Sequence, residues 1–413
     1  MLDLKLVRDD PDGVRAALGR RKVDAPIDEL LELDARRRAL LPELEGLRAE
    51  QNRANQAIAE AKRSGGDASG AIAEMREVAG RVKEMQAEVA TVDERLEALR
   101  AGLPNLPAAS APAEDEVLRE VGEAGASGRD HLDLLEGMVD MEAGARLSGS
   151  RFAYLRGPVV MLELALVRWA MELVGEHGFE PVIPPVLVRE EALFGTGFLP
   201  DTEQQIYELP RDELYLTGTS EVALAFIHAG QILDAGELPR RYAGFSSCFR
   251  REAGAAGKDT RGIFRVHQFD KVEMFAFVEP SESDAEHERL LAVQEQILQA
   301  LDIPYRVVNI AAWDLGASAA KKYDLEAWLP GQERYRELTS CSNTTDYQAR
   351  RLNARYRADG GSPRQLHTLN GTAVAVGRTI VALAENHQQE DGSVRVPEVL
   401  HAFGAPPVIG PAR

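Results

Sequence analysis

Only two cysteines, Cys248 and Cys341, occur in 413 residues, which argues against a disulfide framework, and no Cys/His cluster has the spacing of a structural zinc site. No apolar run is long enough to span a bilayer, and Asp3, Lys5, Arg8, Asp9 and Asp10 interrupt the opening stretch where a secretory signal needs an apolar core. The expected setting is the cytoplasm, with no membrane partner. Also missing are a Gly-rich phosphate loop of the Walker or Rossmann kind and any repeat of solenoid period. Positive charge is scarce, the formal net charge being −19, which opposes a broad nucleic-acid-binding surface. The deficit is uneven. Residues 1–110 hold 18 Lys and Arg against 21 Asp and Glu, so the acid excess lies in the later part and the near-neutral N-terminal part is the better candidate for an RNA contact.

What the chain has in quantity is apolar periodicity. Leu30, Leu33, Leu40, Leu44, Leu47, Ala54, Ile58 and Ala61 follow a 3–4 spacing interrupted by Arg37 and Gln51. Ser64, Gly65, Gly66 and Asp67 break the pattern, and Met75, Val78, Val82, Met85, Val89, Val92, Leu96 and Leu99 resume it. The spacing predicts two helices folded back as an antiparallel coiled coil over about residues 30–100, roughly 45 Å long at 1.5 Å per residue. Pro42 removes one helical hydrogen bond and is expected to kink the first helix or end a turn. Periodicity alone favours a dimerisation or spacer element over RNA binding. The proline-rich stretches Leu103–Pro107 and Ser110–Pro112 read as a linker, dividing the chain into 1–103 and 104–413.

Beyond the linker, β-rich runs alternate with helices: a helix over Leu162–His177, a strand over Pro181–Val188, a helix over Ser281–Leu301 and a strand over Tyr305–Ile310. The expected body is α+β on a mostly antiparallel sheet. Within it, Phe249-Arg250-Arg251-Glu252 and Arg265-Val266-His267-Gln268-Phe269-Asp270-Lys271-Val272-Glu273 read as two facing strands. Alternation groups Arg250 with Glu252, and Phe269 with Lys271 and Glu273. Ala255, Ala256, Gly257, Lys258, Asp259 and Thr260 read as a mobile polar hairpin loop. Phe269 and Glu273 then stand about 13 Å apart at ~3.3 Å per residue, the reach from an adenine ring to a group joined at its α-phosphate.

This pattern resembles the second signature motif of class II aminoacyl-tRNA synthetases, and its context Asp259-Thr260-Arg261-Gly262 with His267-Gln268-Phe269 resembles the seryl enzymes. An ordinary charged hairpin explains the parity alone and leaves the coincident positions unexplained. Leu369–Arg378, running into an apolar helix over Thr379–Asn386, resembles the third signature, and Gly178–Pro185 the first. Leu216–Glu221, Glu337–Asp346 and Gln348–Arg351 are similar to further seryl-family segments, so the resemblance runs end to end.

The resemblance implies activation of L-serine with ATP to seryl-adenylate and transfer to tRNA(Ser), with tRNA(Sec) left open, by a homodimer whose contact includes the first signature. It implies that Thr219 and Glu221 hold the serine amino group, Glu273 receives the hydroxyl, and Thr372 closes the pocket, with Ser220 also among the serine-binding residues. Arg250 is implied for the carboxylate and α-phosphate, Glu252 for the adenine amino group, Phe269 for stacking and Val266 for a backbone contact. Arg251, Leu338 and Thr339 complete the nucleotide set. Glu337 and Ser340 are implied as ligands of Mg2+, and Arg378 as the fork on the γ-phosphate. The family uses the helical arm to hold the long variable arm of its tRNA. Two other readings stay open: a synthetase-like regulatory protein without catalysis, disfavoured by the full set of charged residues, and a ligase serving a carrier protein, disfavoured by the intact arm. The Ala-rich linker from Ala108 to Ala113 and Ala225-Phe226-Ile227-His228 depart from the family pattern and leave general use or an inhibitor-tolerant duplicate open.

Overall fold

The computed structural model describes residues 1–200, 206–253, 259, 261–358 and 360–410. Apart from Asp259, the hairpin loop expected over Ala255–Thr260 lies outside them. Two compact units emerge, Leu2–Pro104 and a second from Asn105 onward that also takes in Met1.

In the first unit, short helices over Leu4–Asp9 and Pro11–Arg20 precede the long helices α1 (Ile27–Arg63) and α2 (Ser69–Gly102). Asp28 and Glu29 in the first turn of α1, with Lys62 and Arg63 in its last, complement the helix dipole. Gly65, at φ +71°, lets the chain reverse. Leu40, Leu44 and Leu47 pack on Val78, Val82, Val89 and Val92 in one apolar seam. Arg37, the interruption in the heptad, forms an ion pair with Asp93 across the hairpin at 2.6 Å, and Glu29 closes the base on Arg95 at 2.6 Å. The helix runs from Ile27 to Arg63 through Pro42, which is exposed, so of the two expected outcomes, a kink or the end of a turn, the second does not occur.

The second unit is built on an eight-stranded sheet. Its strands are β1 (Glu116–Val121), β2 (Glu180–Val182), β3 (Arg240–Phe249), β4 (Gln268–Val278), β5 (Tyr305–Asn309), β6 (Lys321–Leu329), β7 (Arg334–Asn343) and β8 (His367–Ala375). The order is β1-β5-β6-β7-β8-β4-β3-β2, antiparallel throughout except for the edge pair β2 and β3. Helices α3 (Pro158–Glu176), α4 (Ser283–Ala300) and α5 (Val376–Asn386) share one core with the sheet. Strand alternation decides which side each residue serves. Val272, Met274, Ala276 and Val278 of β4 enter the core shared with the helices, while Phe275 and Phe277 enter a second cluster. Lys271 and Glu273 share their parity, and both line a cavity.

Three boundaries differ from the sequence reading. Pro158 at the first helical position, after Gly157 at φ +59°, starts α3 before Leu162. The strand expected over Pro181–Val188 splits into β2 and a separate Leu187–Val188 pair, because Pro184 and Pro185 offer no ladder donors. The ladder between β3 and β4 ends at Phe249 and Gln268. Arg250 N–H still donates to the His267 carbonyl at 2.9 Å, but Glu252 sits at φ +49°, outside strand conformation. Strand parity therefore does not carry from Arg250 to Glu252.

Candidate active site

A cavity of about 440 Å3 opens over β4, β7 and β8. Of the residues singled out in the sequence, Thr219, Glu221, Arg250, Glu252, Val266, Phe269, Glu273, Glu337, Leu338, Thr339, Ser340, Thr372 and Arg378 all line it. Two do not. Ser220 is fully buried with its hydroxyl on Ser246 Oγ at 2.7 Å, pointing beneath the loop instead of into the cavity. Arg251 is exposed, because the chain leaves the ladder at Phe249 and strand alternation no longer aims it.

One cluster gathers on β4, β8 and the loop ahead of the short helix Glu221–Phe226. Lys271 Nζ donates to Thr219 Oγ1 at 2.6 Å and pairs with Glu273 Oε2 at 2.5 Å, while Thr372 Oγ1 donates to the same carboxylate oxygen at 3.1 Å. Gln348 Nε2 and Asn370 Nδ2 both donate to Glu221 Oε1, at 2.7 and 3.0 Å. The Gln348 amide is itself oriented by the Thr368 hydroxyl on its Oε1 at 2.9 Å. Burial, and next the Glu273 carboxylate, push the Glu221 carboxyl up to about 7, against the opposing pull of Gln348, Lys271 and Arg250.

The second cluster is rich in guanidinium groups. Arg378 donates from Nη1 to the Glu337 carbonyl at 2.9 Å and lies 4.7 Å from the centre of the Phe264 ring, which Arg336 approaches at 4.0 Å. Glu252 is ion-paired with Arg265 at 2.7 Å, and Asp259 with Arg336 at 2.7 Å. The Glu337 side chain lines the cavity and is 44% exposed. Partial desolvation raises its pKa, and the cations Arg378, Lys322 and Arg250 outweigh it, holding the carboxyl at about 2. Arg250 stands between the clusters: its charge lowers the pKa of both Glu221 and Glu337. Its guanidinium donates to the Gly218 carbonyl at 3.2 Å and sits 5.4 Å from the Phe269 ring centre.

Lys322 lines the cavity without a local sequence signal, whereas Asn370, which also lines it, and Gln348, which supports it from a short helix over Tyr347–Leu352, lie in the segments Leu369–Arg378 and Gln348–Arg351 without having been given a role there. Lys271 was within reach, since it shares strand parity with Phe269 and Glu273.

The sequence model described as "Seryl-tRNA synthetase N-terminal domain" matches residues 1–107, and that of the "tRNA synthetase class II core domain (G, H, P, S and T)" matches residues 205–387. A serine–tRNA ligase of Thermobifida fusca is 50% identical over 421 residues, covering 100% of this chain and 99% of the relative. The chain belongs to the seryl-tRNA synthetase family. It is thus a class II aminoacyl-tRNA synthetase, and solved members superpose along its whole length. The Pyrococcus horikoshii seryl-tRNA synthetase, crystallised with ATP, gives a TM-score of 0.91 at 42% identity with 100% of both chains covered. The Naegleria fowleri cytoplasmic serine–tRNA ligase, solved with AMP, gives 0.88 at 32% identity, covering 100% of this chain and 99% of that one. Among the described residues, no helix of this family member is long and apolar enough to cross a membrane.

Proposed function

We propose that the cavity activates L-serine with ATP and that the product is transferred to tRNA(Ser), in the cytoplasm and as a homodimer. The observation that carries this reading is the meeting, in one cavity, of the Glu221–Glu273 carboxylate pair with the forks of Arg250 and Arg378. In the first step the serine carboxylate attacks the α-phosphorus in line. A new P–O bond forms, the bond to the β-phosphate breaks, and pyrophosphate leaves with the electron pair. No general base is needed, because the carboxylate is already ionised. The work is alignment and neutralisation of phosphate charge, given to Arg250 at the α-phosphate and Arg378 at the γ-phosphate. Thr219 and Glu221 hold the serine ammonium, Glu273 its hydroxyl, and Thr372 closes the pocket. Glu252 and the Val266 backbone meet the adenine, Phe269 stacks on it, and Leu338 and Thr339 flank the nucleotide. In the second step the terminal ribose hydroxyl of the tRNA attacks the adenylate carbonyl and AMP leaves.

The ionised Glu337 and the Ser340 hydroxyl are hard oxygen donors in one cavity, too few for an all-protein cage and suited to a cation completed by phosphate oxygens. They would hold Mg2+, which when bound offsets triphosphate charge. The arm of residues 1–103 serves tRNA and residues 104–413 serve catalysis. Dimerisation is supported by exposed apolar side chains: Met161 and Leu164 of α3 are 48% and 58% exposed, and Ile183, just after β2 in the first-signature segment, is 83% exposed.

Pyrophosphate exchange with each amino acid tests the reading: serine supports it and alanine does not, because alanine brings no hydroxyl to the Glu273 carboxylate, which then keeps only Lys271 and Thr372. Exchange with alanine or proline in place of serine would sink it. Glu273→Ala lowers serine kcat/KM by more than about 2 kcal/mol, the worth of a buried charged hydrogen bond. A wild-type value removes Glu273 from the pocket.

The Glu221 carboxyl, raised to about 7, is the ionised partner of the ammonium only at higher pH. Serine kcat/KM therefore falls as pH drops through about 7, and a profile flat between pH 6 and 8 contradicts the assignment. The same group carries a stability signature. Below its unfolded pKa both states are protonated; above it the unfolded chain releases a proton that the folded pocket retains, so stability is lost as pH rises towards 7. Glu221→Gln should raise the Tm of the ligand-free protein relative to wild type more at pH 8 than at pH 5, while abolishing exchange. Equal Tm differences at the two pH values would show that burial does not hold this proton.

A further inference from the structure

Strands β7 and β8 pair only over Cys341 with Gly371, Ser342 with Asn370 and Asn343 with Leu369. One step on, at the cavity-lining residues Ser340 and Thr372, the ladder between them has stopped. At this point β8 follows β4 through a register shift beside Glu273, and β7 remains paired with β6, Ser340 lying opposite Asp324. The last joined step is tight: a Cβ on Gly371 would lie 3.0 Å from Cys341 Cβ and 3.5 Å from the Nε2 of Gln294. Where the ladder stops, that same side chain takes over. From α4, Gln294 Nε2 donates to the Ser340 carbonyl at 2.8 Å and to the Thr372 carbonyl at 2.8 Å.

Gln294 is fully buried, and its Oε1 has no hydrogen-bond partner among the described residues. A buried carbonyl left unpaired is destabilising, so an apolar side chain of equal length would serve packing better. What glutamine alone supplies here is the pair of N–H donors. Both acceptors are carbonyls, so turning the amide over would set oxygen against oxygen, and its orientation is fixed. The two strands it joins carry different halves of the cavity. Thr372 donates to Glu273, whereas Ser340 and Glu337 lie on β7.

We infer that Gln294 is a positioning residue for adenylate formation: its amide sets the separation of Thr372 from Ser340, and so the alignment of the serine carboxylate with the α-phosphate. The inference rests on the proposed seryl-adenylate site. Small errors of alignment act on the chemical step more than on the binding of either partner.

The test is pyrophosphate exchange with serine and ATP varied separately, normalised by active-site titration, on wild type, Gln294→Met and Gln294→Asn. Met fills the volume without the amide; Asn keeps the amide and shortens its reach by one methylene. Both variants should lose about 10- to 100-fold in kcat, with each KM within about 3-fold of wild type. Wild-type kcat in a folded variant overturns the inference, even where its Tm has fallen, since a purely structural amide lowers Tm and leaves turnover per site unchanged. If the Met variant fails to fold, the kcat of the Asn variant decides. Absence of serine-dependent exchange in the wild type itself is a separate result, and it overturns the underlying assignment of the site.

Discussion

Replacing Arg378 with alanine should lower kcat/KM for serine-dependent pyrophosphate exchange by about 100- to 1,000-fold, the scale on which a preorganised charge acts on a transition state. Burial pushes the Arg378 pKa down, with the Glu337 carboxylate opposing that push; a guanidinium stays charged under such a shift. Its position is set from three sides, by the Glu337 carbonyl, the Phe264 carbonyl at 3.4 Å and the face of the Phe264 ring. A fork so held loses little entropy when a phosphate arrives. Arg378→Lys should recover only part of the rate, because a point charge replaces two parallel donors. The fold should survive, since these contacts border the cavity and the apolar face of α5, with Ile380, Val381 and Leu383, points into the core. Tm and exchange measured on the same preparation separate the cases. A variant that unfolds, with unchanged specific activity in its soluble fraction, would make Arg378 a structural ion-pair partner. Arg250→Ala should behave alike for the α-phosphate.

Periodic features were the legible ones. The seam of the helical hairpin follows from the heptads, because the same apolar positions that repeat in sequence meet in α1 and α2. Along β4, alternation sorted Lys271 and Glu273 from Val272 and Met274 for the same reason. Where regular geometry stops, sequence reading lost its footing. Glu252 reaches the cavity from a left-handed conformation, which no strand parity anticipates, and Ser220 turns away from it between two residues that face it. Gln348 acts from a helix far along the chain from Glu221, and Gln294 from one far along it from Ser340 and Thr372. Their sequence neighbours say nothing of the carboxylate or carbonyls they meet, because those contacts exist only once distant strands have been assembled. Arg37 is the converse case. It read as a flaw in the heptad, and the structure gives it an ion pair with Asp93 across the hairpin.

Replacing the hairpin from Leu30 to Leu99 with a short Gly/Ser linker should leave serine-dependent pyrophosphate exchange near normal and nearly abolish aminoacylation of tRNA(Ser). The first half follows from where the chemistry lies: every residue assigned to the cavity is beyond the linker, and the cavity is contained in the unit from Asn105 onward. The helices are antiparallel and Glu29 pairs with Arg95 at 2.6 Å, so the two ends of the deletion are already neighbours and a few residues can close it. The second half follows from charge. The net charge of −19 leaves few surfaces on which phosphates can settle. Arg48, Arg53, Lys62 and Arg63 all stand exposed on the arm. Changing these four to alanine should weaken tRNA binding and flatten its salt dependence, the slope of log Kd against log salt falling by about 1 for each phosphate that the arm no longer neutralises. Exchange should stay at the wild-type rate in that variant too, because every residue that lines the cavity lies beyond the arm in sequence. Full charging of tRNA by the truncated protein would make the hairpin a spacer. A truncated protein that becomes monomeric yet keeps its tRNA affinity would make it a dimerisation element, the role that periodicity alone favours.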